Sequence, residues 1–254
     1  RGEQSNTSVL FGQKAVLKLL RKVEPGPSPD HELTDALTRS GAFRSAPRLL
    51  GALSYAAAGE EPATLALLQE FLPSQGDGWT AAQARLAEYF TAVLEDSGQA
   101  FARTLAAADA EEARRLGGLT GQLHAALASE SLGEAFAPEA ITPDDVAIWS
   151  AGMDAQLARA AAELAAGLAD LPVAAREPAQ LLLRDLRGLP GASAALLPLA
   201  SGGVAKIRVH GDYHLGQLLR TEAGFAVLDF EGEPARPLAE RRRKQCALKD
   251  VAGM

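Results

Sequence analysis

The stretch IRVHGDYHLGQLL, residues 207–219, decides how this sequence folds. An apolar run leads into His210, Gly211 and Asp212, and a second apolar run follows them. Aspartate is a poor strand residue and costs free energy when it is buried, so a charged cluster between two core-like strands needs a reason. We expect the two strands to hold these charged side chains at the edge of a cleft.

A second acidic motif follows the quoted stretch. The sequence QLLRTEAGFAVLDF predicts a hairpin that turns near residues 223–224 and leads into the triplet DFE, residues 229–231. An antiparallel return strand brings Asp229 back beside Asp212. Phosphoryl transfer uses such carboxylates, because one accepts the proton of the acceptor hydroxyl and others hold Mg²⁺. The two motifs at hairpin spacing therefore favour a phosphoryl-transfer site over two solvated turns.

The rest of the chain predicts an α+β fold with two lobes. Strands with alternating apolar residues and one helix come first, and helical spacing dominates from Trp79 to about Leu186. This order, a small sheet with one helix and then a mainly helical lobe with a catalytic hairpin, is that of a protein-kinase-like fold. The charge, proline and glycine residues within positions 73–78 suggest the lobe boundary. The predicted lobes are a nucleotide-binding lobe at residues 1–76 and a helical lobe at residues 77–254.

Composition narrows the functional class. The 254 residues carry a net charge of −7, which argues against nucleic acid or an anionic membrane as a partner. The single cysteine, Cys246, excludes an intrachain disulfide and fits a reducing, cytoplasmic location. No apolar run is long enough to predict a membrane span. Because the chain starts at Arg1 and stops at Met254 just after an apolar turn, we expect it to be truncated at both ends.

Several motifs carry a resemblance to known kinases. HGDYHLGQ, residues 210–217, resembles the HGDxHxxN catalytic loop of aminoglycoside-phosphotransferase-like small-molecule kinases. LDFEGEPARPLAERR (228–242) and LKDVAGM (248–254) are similar to the maltokinase family, which is also found fused to trehalose synthase. Residues 3–33 and 67–79 match the nucleotide lobe of that family. The resemblance implies ATP-dependent, magnesium-requiring phosphorylation of maltose to maltose 1-phosphate, in trehalose and glycogen metabolism.

The resemblance also implies roles around the catalytic loop. Asp212 would be the catalytic base. Gln217 would be a metal ligand in the place where most relatives have asparagine, with Asp229 as the main Mg²⁺ ligand and Glu231 as a second or water-mediated one. Two residues would support the loop structurally: His210 and Asp250.

The nucleotide site is predicted in the first lobe. Lys18 lies inside the apolar strand AVLKLL, and a lysine in such a strand is rarely left unpaired. In kinase-like folds this lysine grips the phosphates and pairs with a helix glutamate, for which Glu32 is the candidate. The family match adds a phosphate cradle ahead of the first strand and a hinge whose backbone reads adenine. The cradle would be Ser5, Asn6, Thr7 and Ser8, and the hinge would be Glu70, Phe71 and Leu72.

Three residues are candidates for the acceptor sugar: His214, Arg236 and Glu240. The neighbouring Arg242 and Arg243 are interpreted as a solvated face. A related aminosugar kinase, such as one acting on glucosamine, stays open as an alternative, whereas an aminoglycoside kinase fits the motifs less well. A kinase-like module without activity that docks on trehalose synthase also stays open. A remote alternative is a zinc hydrolase built on His210 and His214.

Overall fold

The structure is a computed structural model that describes residues 6–56, 58–94, 99–186 and 192–254. The chain divides into two compact units, one formed by Arg1–Pro138 with Ile207–Met254 and the other by Glu139–Lys206. None of the helices in the described residues combines the length and the apolar character that a membrane crossing requires. The lobe boundary that we predict after residue 76 stays a prediction.

A four-stranded antiparallel sheet opens the first unit. Its strands run in the spatial order β1-β2-β4-β3. Their bounds are β1 Asn6–Phe11, β2 Ala15–Leu20, β3 Leu49–Tyr55 and β4 Ala63–Glu70. Lys18 of β2 lies between Ser8 of β1 and Leu67 of β4, so the strand prediction around AVLKLL is confirmed.

Helix α1 (Pro29–Ser40) has the ends that its sequence predicts. The Ser28 side chain accepts a hydrogen bond from the His31 N–H, and Pro29 occupies the first turn, where it has no N–H to leave unpaired. Gly41 ends the helix at φ 61°, a left-handed conformation that glycine adopts without steric cost.

Two long helices follow in the first unit, α2 (Gly78–Leu94) and α3 (Gln99–Leu127). Asp77 caps α2, since its carboxylate accepts from the Thr80 N–H at 2.7 Å. The last turns of α3 pack against α1 and the residues around the quoted loop. The shared core contains Leu33, Leu37, Phe43, Leu123, Leu127, Tyr213, Leu218, Val227 and Phe230.

The second unit is mainly helical. Its short strand β5 (Glu139–Ala140) pairs antiparallel with the first residues of β6 (Ala205–Ile207). Its helices are α4 (Pro143–Gly167) and α5 (Val173–Leu186). Thr142 and Asp145 form a capping box at the start of α4.

The predicted catalytic hairpin is present in the first unit. Strands β7 (Leu218–Thr221) and β8 (Gly224–Val227) pair antiparallel. The Arg220 N–H donates to the Gly76 carbonyl at 2.9 Å, which holds the hairpin against the segment that follows β4. The α-helices and the strand that follow the hairpin are α6 (Leu238–Arg241), β9 (Gln245–Cys246) and α7 (Leu248–Gly253). The α+β class is therefore confirmed.

Candidate active site

Asp250 of α7 organises the backbone of the quoted loop. Its carboxylate accepts hydrogen bonds from the N–H groups of His210 (3.0 Å) and Gly211 (2.9 Å), and it lies 2.8 Å from His124 Nε2. Burial alone would raise the pKa of Asp250, but these donors, led by His124, hold it below its ordinary value. The geometry is the supporting one that the resemblance implies for Asp250.

His210 uses both nitrogens of its ring inside the loop. Nε2 donates to the Leu228 carbonyl at 2.7 Å, and Nδ1 accepts from the Asp212 N–H at 3.4 Å. This pattern requires the neutral imidazole, and burial lowers the pKa of His210 accordingly. The ring therefore fastens the loop to the hairpin, and it has no free lone pair for the zinc site of the remote alternative.

The two acidic motifs meet beside this ring. Gly211 has φ 86°, and a Cβ added to it would lie 3.4 Å from the Gly232 Cα, so the loop and the exit of the DFE motif are in contact. The His210 ring is bonded to the Asp212 N–H and to the carbonyl of Leu228, the residue before Asp229. The structure thus brings the two acidic motifs together at one side chain.

Lys18 connects β2 to the DFE motif. Its ammonium lies 2.9 Å from Asp30 Oδ2 and 2.8 Å from Asp229 Oδ1. Burial acts to lower the pKa of Lys18, but the two carboxylates outweigh burial, and the pKa is raised. The lysine is therefore charged at neutral pH and bound to two acids from distant parts of the chain.

The predicted pairing of Lys18 with Glu32 is wrong, because Asp30 takes that place. Asp30 belongs to the stripe of α1 that faces the core, with Leu33, Thr34 and Leu37 at helical spacing. Glu32 is two residues further on, about 200° around the helix axis, and so it points away from that stripe.

Asp30 is a site residue that the sequence analysis missed. It is only 1% exposed, and it accepts from Thr34 Oγ1 (3.2 Å) and from the Phe230 N–H (3.3 Å) in addition to Lys18. Burial by itself would raise the pKa of Asp30, but Lys18 lowers it below the ordinary value. Its helical spacing from Leu33 and Leu37 is the sequence signal that could have identified it.

Glu32 instead binds two arginines. It accepts from Arg208 Nη2 at 3.0 Å and from Arg242 Nη2 at 2.7 Å. The interpretation of Arg242 as part of a solvated face is therefore wrong, because an opposite charge holds it against α1. Arg243 is exposed as expected.

The predicted phosphate cradle is part of a strand. Because β1 begins at Asn6, the residues Asn6, Thr7 and Ser8 do not form a loop ahead of it, and Ser5 lies outside the described residues. Ser8 is directly opposite Lys18 and shares its face of the sheet. Thr7 is on the other face, where its hydroxyl accepts from Arg21 Nε at 3.1 Å.

The predicted adenine hinge is partly occupied by the sheet itself. The Glu70 N–H donates to the Arg48 carbonyl, and the Phe71 N–H donates to the Lys14 carbonyl. The Glu70 carboxylate also pairs with the Arg48 side chain. These two N–H groups are therefore already bonded within the protein, and an adenine contact by this segment stays a prediction.

The candidate metal ligands lie at the end of the hairpin. The Gln217 carbonyl accepts from the Leu228 N–H at 2.9 Å, which places Gln217 next to Asp229. Asp229 has φ 63°, the single positive φ of a residue other than glycine among the described residues. Such strained conformations concentrate at functional sites.

The chemistry of these donors fits magnesium. Mg²⁺ is usually held by one or two carboxylates together with substrate phosphates and water, and Asp229, Gln217 and Glu231 supply oxygen donors of that kind. No group of three or more His, Cys, Asp or Glu side chains that could hold a metal ion is found in the described residues. The donor set fits a metal whose other ligands are nucleotide phosphates and water.

The three acceptor candidates fall into two places. His214 is exposed, and its Nδ1 accepts from the Gly216 N–H at 3.0 Å. Arg236 pairs with Glu233 and Glu240, which confines its guanidinium between two carboxylates. Lys249 lies close to this group. Its pKa is lowered mainly by burial and also by the positive charge of Arg236.

With this fold and site, the chain belongs to the phosphotransferase enzyme family, whose model matches residues 1–232. A curated relative named glucosamine kinase, from Streptacidiphilus jiangxiensis, is 34% identical over 99% of this chain and 51% of its own length. A second glucosamine kinase, from Mycolicibacterium smegmatis, is 30% identical over 99% of this chain and 56% of its own length. The chain therefore spans about half the length of the curated relatives it matches.

Solved structures of similar sequence share the fold of this chain. A glucosamine kinase in complex with glucosamine, ADP and inorganic phosphate matches with a TM-score of 0.69 at 32% identity, over 98% of this chain and 57% of that one. A second glucosamine kinase structure, crystal form B, matches with a TM-score of 0.67 at 33% identity, over 97% and 53% of the two chains. The kinase-like α+β fold is thereby confirmed. These names support the aminosugar alternative, and they support neither maltokinase nor an association with trehalose synthase.

Proposed function

We propose that this protein is an ATP-dependent aminosugar kinase that transfers the γ-phosphoryl group of ATP to a hydroxyl of glucosamine. The observation that carries the proposal is the contact between Lys18 Nζ and Asp229 Oδ1 at 2.8 Å. It joins the candidate phosphate-binding cation to the candidate metal-binding carboxylate, as a kinase site requires. The names of the similar proteins support glucosamine as the acceptor.

In the proposed reaction, Asp212 acts as the general base. It takes the proton of the acceptor hydroxyl while that oxygen forms a bond to the γ-phosphorus and the bond to the β-phosphate oxygen breaks, which releases ADP. The loop is positioned for this step by Asp250, which holds the N–H groups before Asp212, and by His210, which accepts from the Asp212 N–H.

Lys18 would bind the phosphates of ATP, and its charge would offset theirs. Mg²⁺, held by Asp229 with Gln217 and Glu231, would supply charge neutralisation at the phosphates when it is bound with the nucleotide. The Asp30 carboxylate keeps Lys18 charged and in place, because it accepts a hydrogen bond from the ammonium at 2.9 Å. A cytoplasmic location, where ATP is available, fits this chemistry.

The proposal is tested with an ADP-release assay on the whole chain. Glucosamine, glucose and maltose are offered separately with ATP and Mg²⁺, and Asp212→Asn serves as the matched inactive control. We expect glucosamine to be used at least about tenfold better than the other sugars, since a site that binds a charged amine rejects analogues without it. Preference for maltose, or ADP release that Asp212→Asn does not diminish, would contradict the proposal.

A further inference from the structure

Three arginines bind two acidic residues, Glu24 after strand β2 and Glu32 in helix α1. Arg242 binds both carboxylate oxygens of Glu32, through Nε at 3.0 Å and Nη2 at 2.7 Å, and Arg208 binds the same carboxylate at 3.0 Å. Arg241 donates from Nη2 to Glu24 at 3.1 Å. We call Arg208, Arg241 and Arg242 the arginine clamp.

The arginine clamp is shielded from solvent at Arg208 and Arg241, whereas the Arg242 side chain is 32% exposed. The side chains of Arg208, Arg241 and Glu32 are 3%, 10% and 15% exposed. The Arg208 guanidinium also lies over the Phe136 ring, 5.4 Å from its centroid. Ion pairs with so little solvent access are weakly screened, and removal of one partner leaves a buried charge without compensation.

The arginine clamp contacts both the helix that carries Asp30 and the motif that carries Asp229. Glu32 is two residues after Asp30 in the first turn of α1, so holding Glu32 also fixes the position of Asp30. Arg241 donates from Nη1 to the Glu231 carbonyl at 3.0 Å, and thereby holds the exit of the DFE motif. Arg208 precedes His210 by two residues on the segment that leads into the catalytic loop.

We propose that the arginine clamp is a positioning device that fixes α1 and the segment after β2 against the catalytic loop and the DFE motif. The inference rests on the proposed function, because the alignment it maintains is that of the phosphate-binding lysine with the metal-binding carboxylate. The clamp residues act through Asp30 and Glu231 rather than by contact with the substrate. Their loss should disturb the alignment of Lys18 with Asp229 more than it weakens nucleotide binding.

Two variants test the proposal, Arg242→Ala and Glu32→Gln, with Arg243→Ala as the matched control. Arg243 is the next residue of the chain and is exposed. The first measurement is amide hydrogen exchange of the whole chain without nucleotide. In the two clamp variants we expect faster exchange in α1 and residues 228–234, with exchange in α4 unchanged, whereas Arg243→Ala matches the wild type throughout.

The second measurement is steady-state kinetics with ATP and glucosamine. Misplacement of reacting groups by about 1 Å can cost on the order of 100-fold in rate, so we expect kcat of the clamp variants to fall by about 10- to 100-fold. KM for ATP should change far less. Arg242→Lys should give an intermediate kcat, because lysine keeps the charge and loses the two-pronged geometry. It also carries the test if Arg242→Ala does not fold.

Each outcome decides the proposal. Unchanged exchange in α1 and residues 228–234 would overturn the arginine clamp, whatever the activity. Faster exchange with a kcat equal to that of Arg243→Ala would reduce the arginines to a purely stabilising role and would also overturn it. If the wild type proves inactive on sugars, the proposed function fails, and the exchange measurement alone then decides whether the clamp holds these segments.

Discussion

Lys18 Nζ lies 2.8 Å from Asp229 Oδ1 although 211 positions separate the two residues in the chain. On its other side the same ammonium lies 2.9 Å from the buried Asp30 carboxylate. One lysine thus joins the sheet, the first helix and the DFE motif. The candidate site therefore exists only when these distant segments are folded together, and its stability and its chemistry are linked.

Replacing Lys18 with methionine should destabilise the protein. The change leaves Asp30 buried without its cation, and removing one partner of a buried pair typically costs about 3–5 kcal/mol. The double variant Lys18→Met with Asp30→Asn should recover part of this loss without recovering activity. Urea unfolding monitored by circular dichroism measures the three free energies of unfolding.

The control for this prediction is Lys18→Met combined with Glu32→Gln. Because Glu32 binds Arg208 and Arg242, this pair of changes should be less stable than Lys18→Met alone. If the Glu32 double variant is the one that recovers stability, Lys18 and Asp30 are not the coupled pair.

The substitution Asp212→Asn should lower kcat while nucleotide binding stays close to normal. Loss of a general base typically costs about 10²- to 10⁴-fold in rate. Asparagine keeps the size of the side chain, and the Asp212 N–H that bonds to His210 is unaffected. Kinetics together with calorimetric titration of ADP and Mg²⁺ measure both quantities. Near-normal turnover would remove Asp212 from the role of base.

The neutral His210 should make stability depend on pH. Burial lowers the pKa of His210 from its ordinary 6.5, so below that pH the unfolded chain binds a proton that the folded chain does not. The free energy of unfolding should therefore fall as the pH drops through about 6.5 and continue to fall until the lowered pKa is reached. Urea unfolding between about pH 7.5 and pH 5 checks this.

The variant His210→Gln isolates that effect. Glutamine can still donate to the Leu228 carbonyl but does not titrate, so the loss of stability across this pH window should be smaller than in the wild type. Equal pH dependence in the two proteins would show that His210 is not the group responsible.

The two carboxylates of the DFE motif should contribute unequally to nucleotide binding. Asp229 is partly exposed and contacts Lys18, whereas Glu231 is buried and its carbonyl is bound by Arg241. We expect Asp229→Ala to weaken binding of ADP with Mg²⁺ more than Glu231→Ala does. Isothermal titration with and without Mg²⁺ compares them, and equal losses would mean that the two carboxylates share the metal evenly.

Local features of the fold could be predicted because the sequence specifies them locally. Ser28, Pro29 and Gly41 mark the ends of α1, and the alternating apolar residues of AVLKLL mark β2. Two apolar runs on either side of a turn at residues 223–224 predict the hairpin between the two acidic motifs. This hairpin makes Gln217 and Asp229 neighbours.

Partners across the chain could not be predicted in the same way. Asp30 rather than Glu32 pairs with Lys18 because Asp30 lies on the stripe of α1 that faces the core, whereas the distance along the chain favours neither acid. His124 lies in an alanine-rich helix with nothing local to mark it, and its partner Asp250 is 126 positions away. Arg242 looked like part of a solvated run because Glu32, the acid that binds it, is equally remote.

The most direct test of the account is ³¹P NMR of a reaction that contains the protein, ATP, Mg²⁺ and glucosamine. We predict a new phosphomonoester signal that grows in equal amount with ADP, and no such signal with Asp212→Asn. Accumulation of ADP and inorganic phosphate without a sugar phosphate would show that phosphoryl transfer goes to water, and it would contradict the assignment of this protein as an aminosugar kinase.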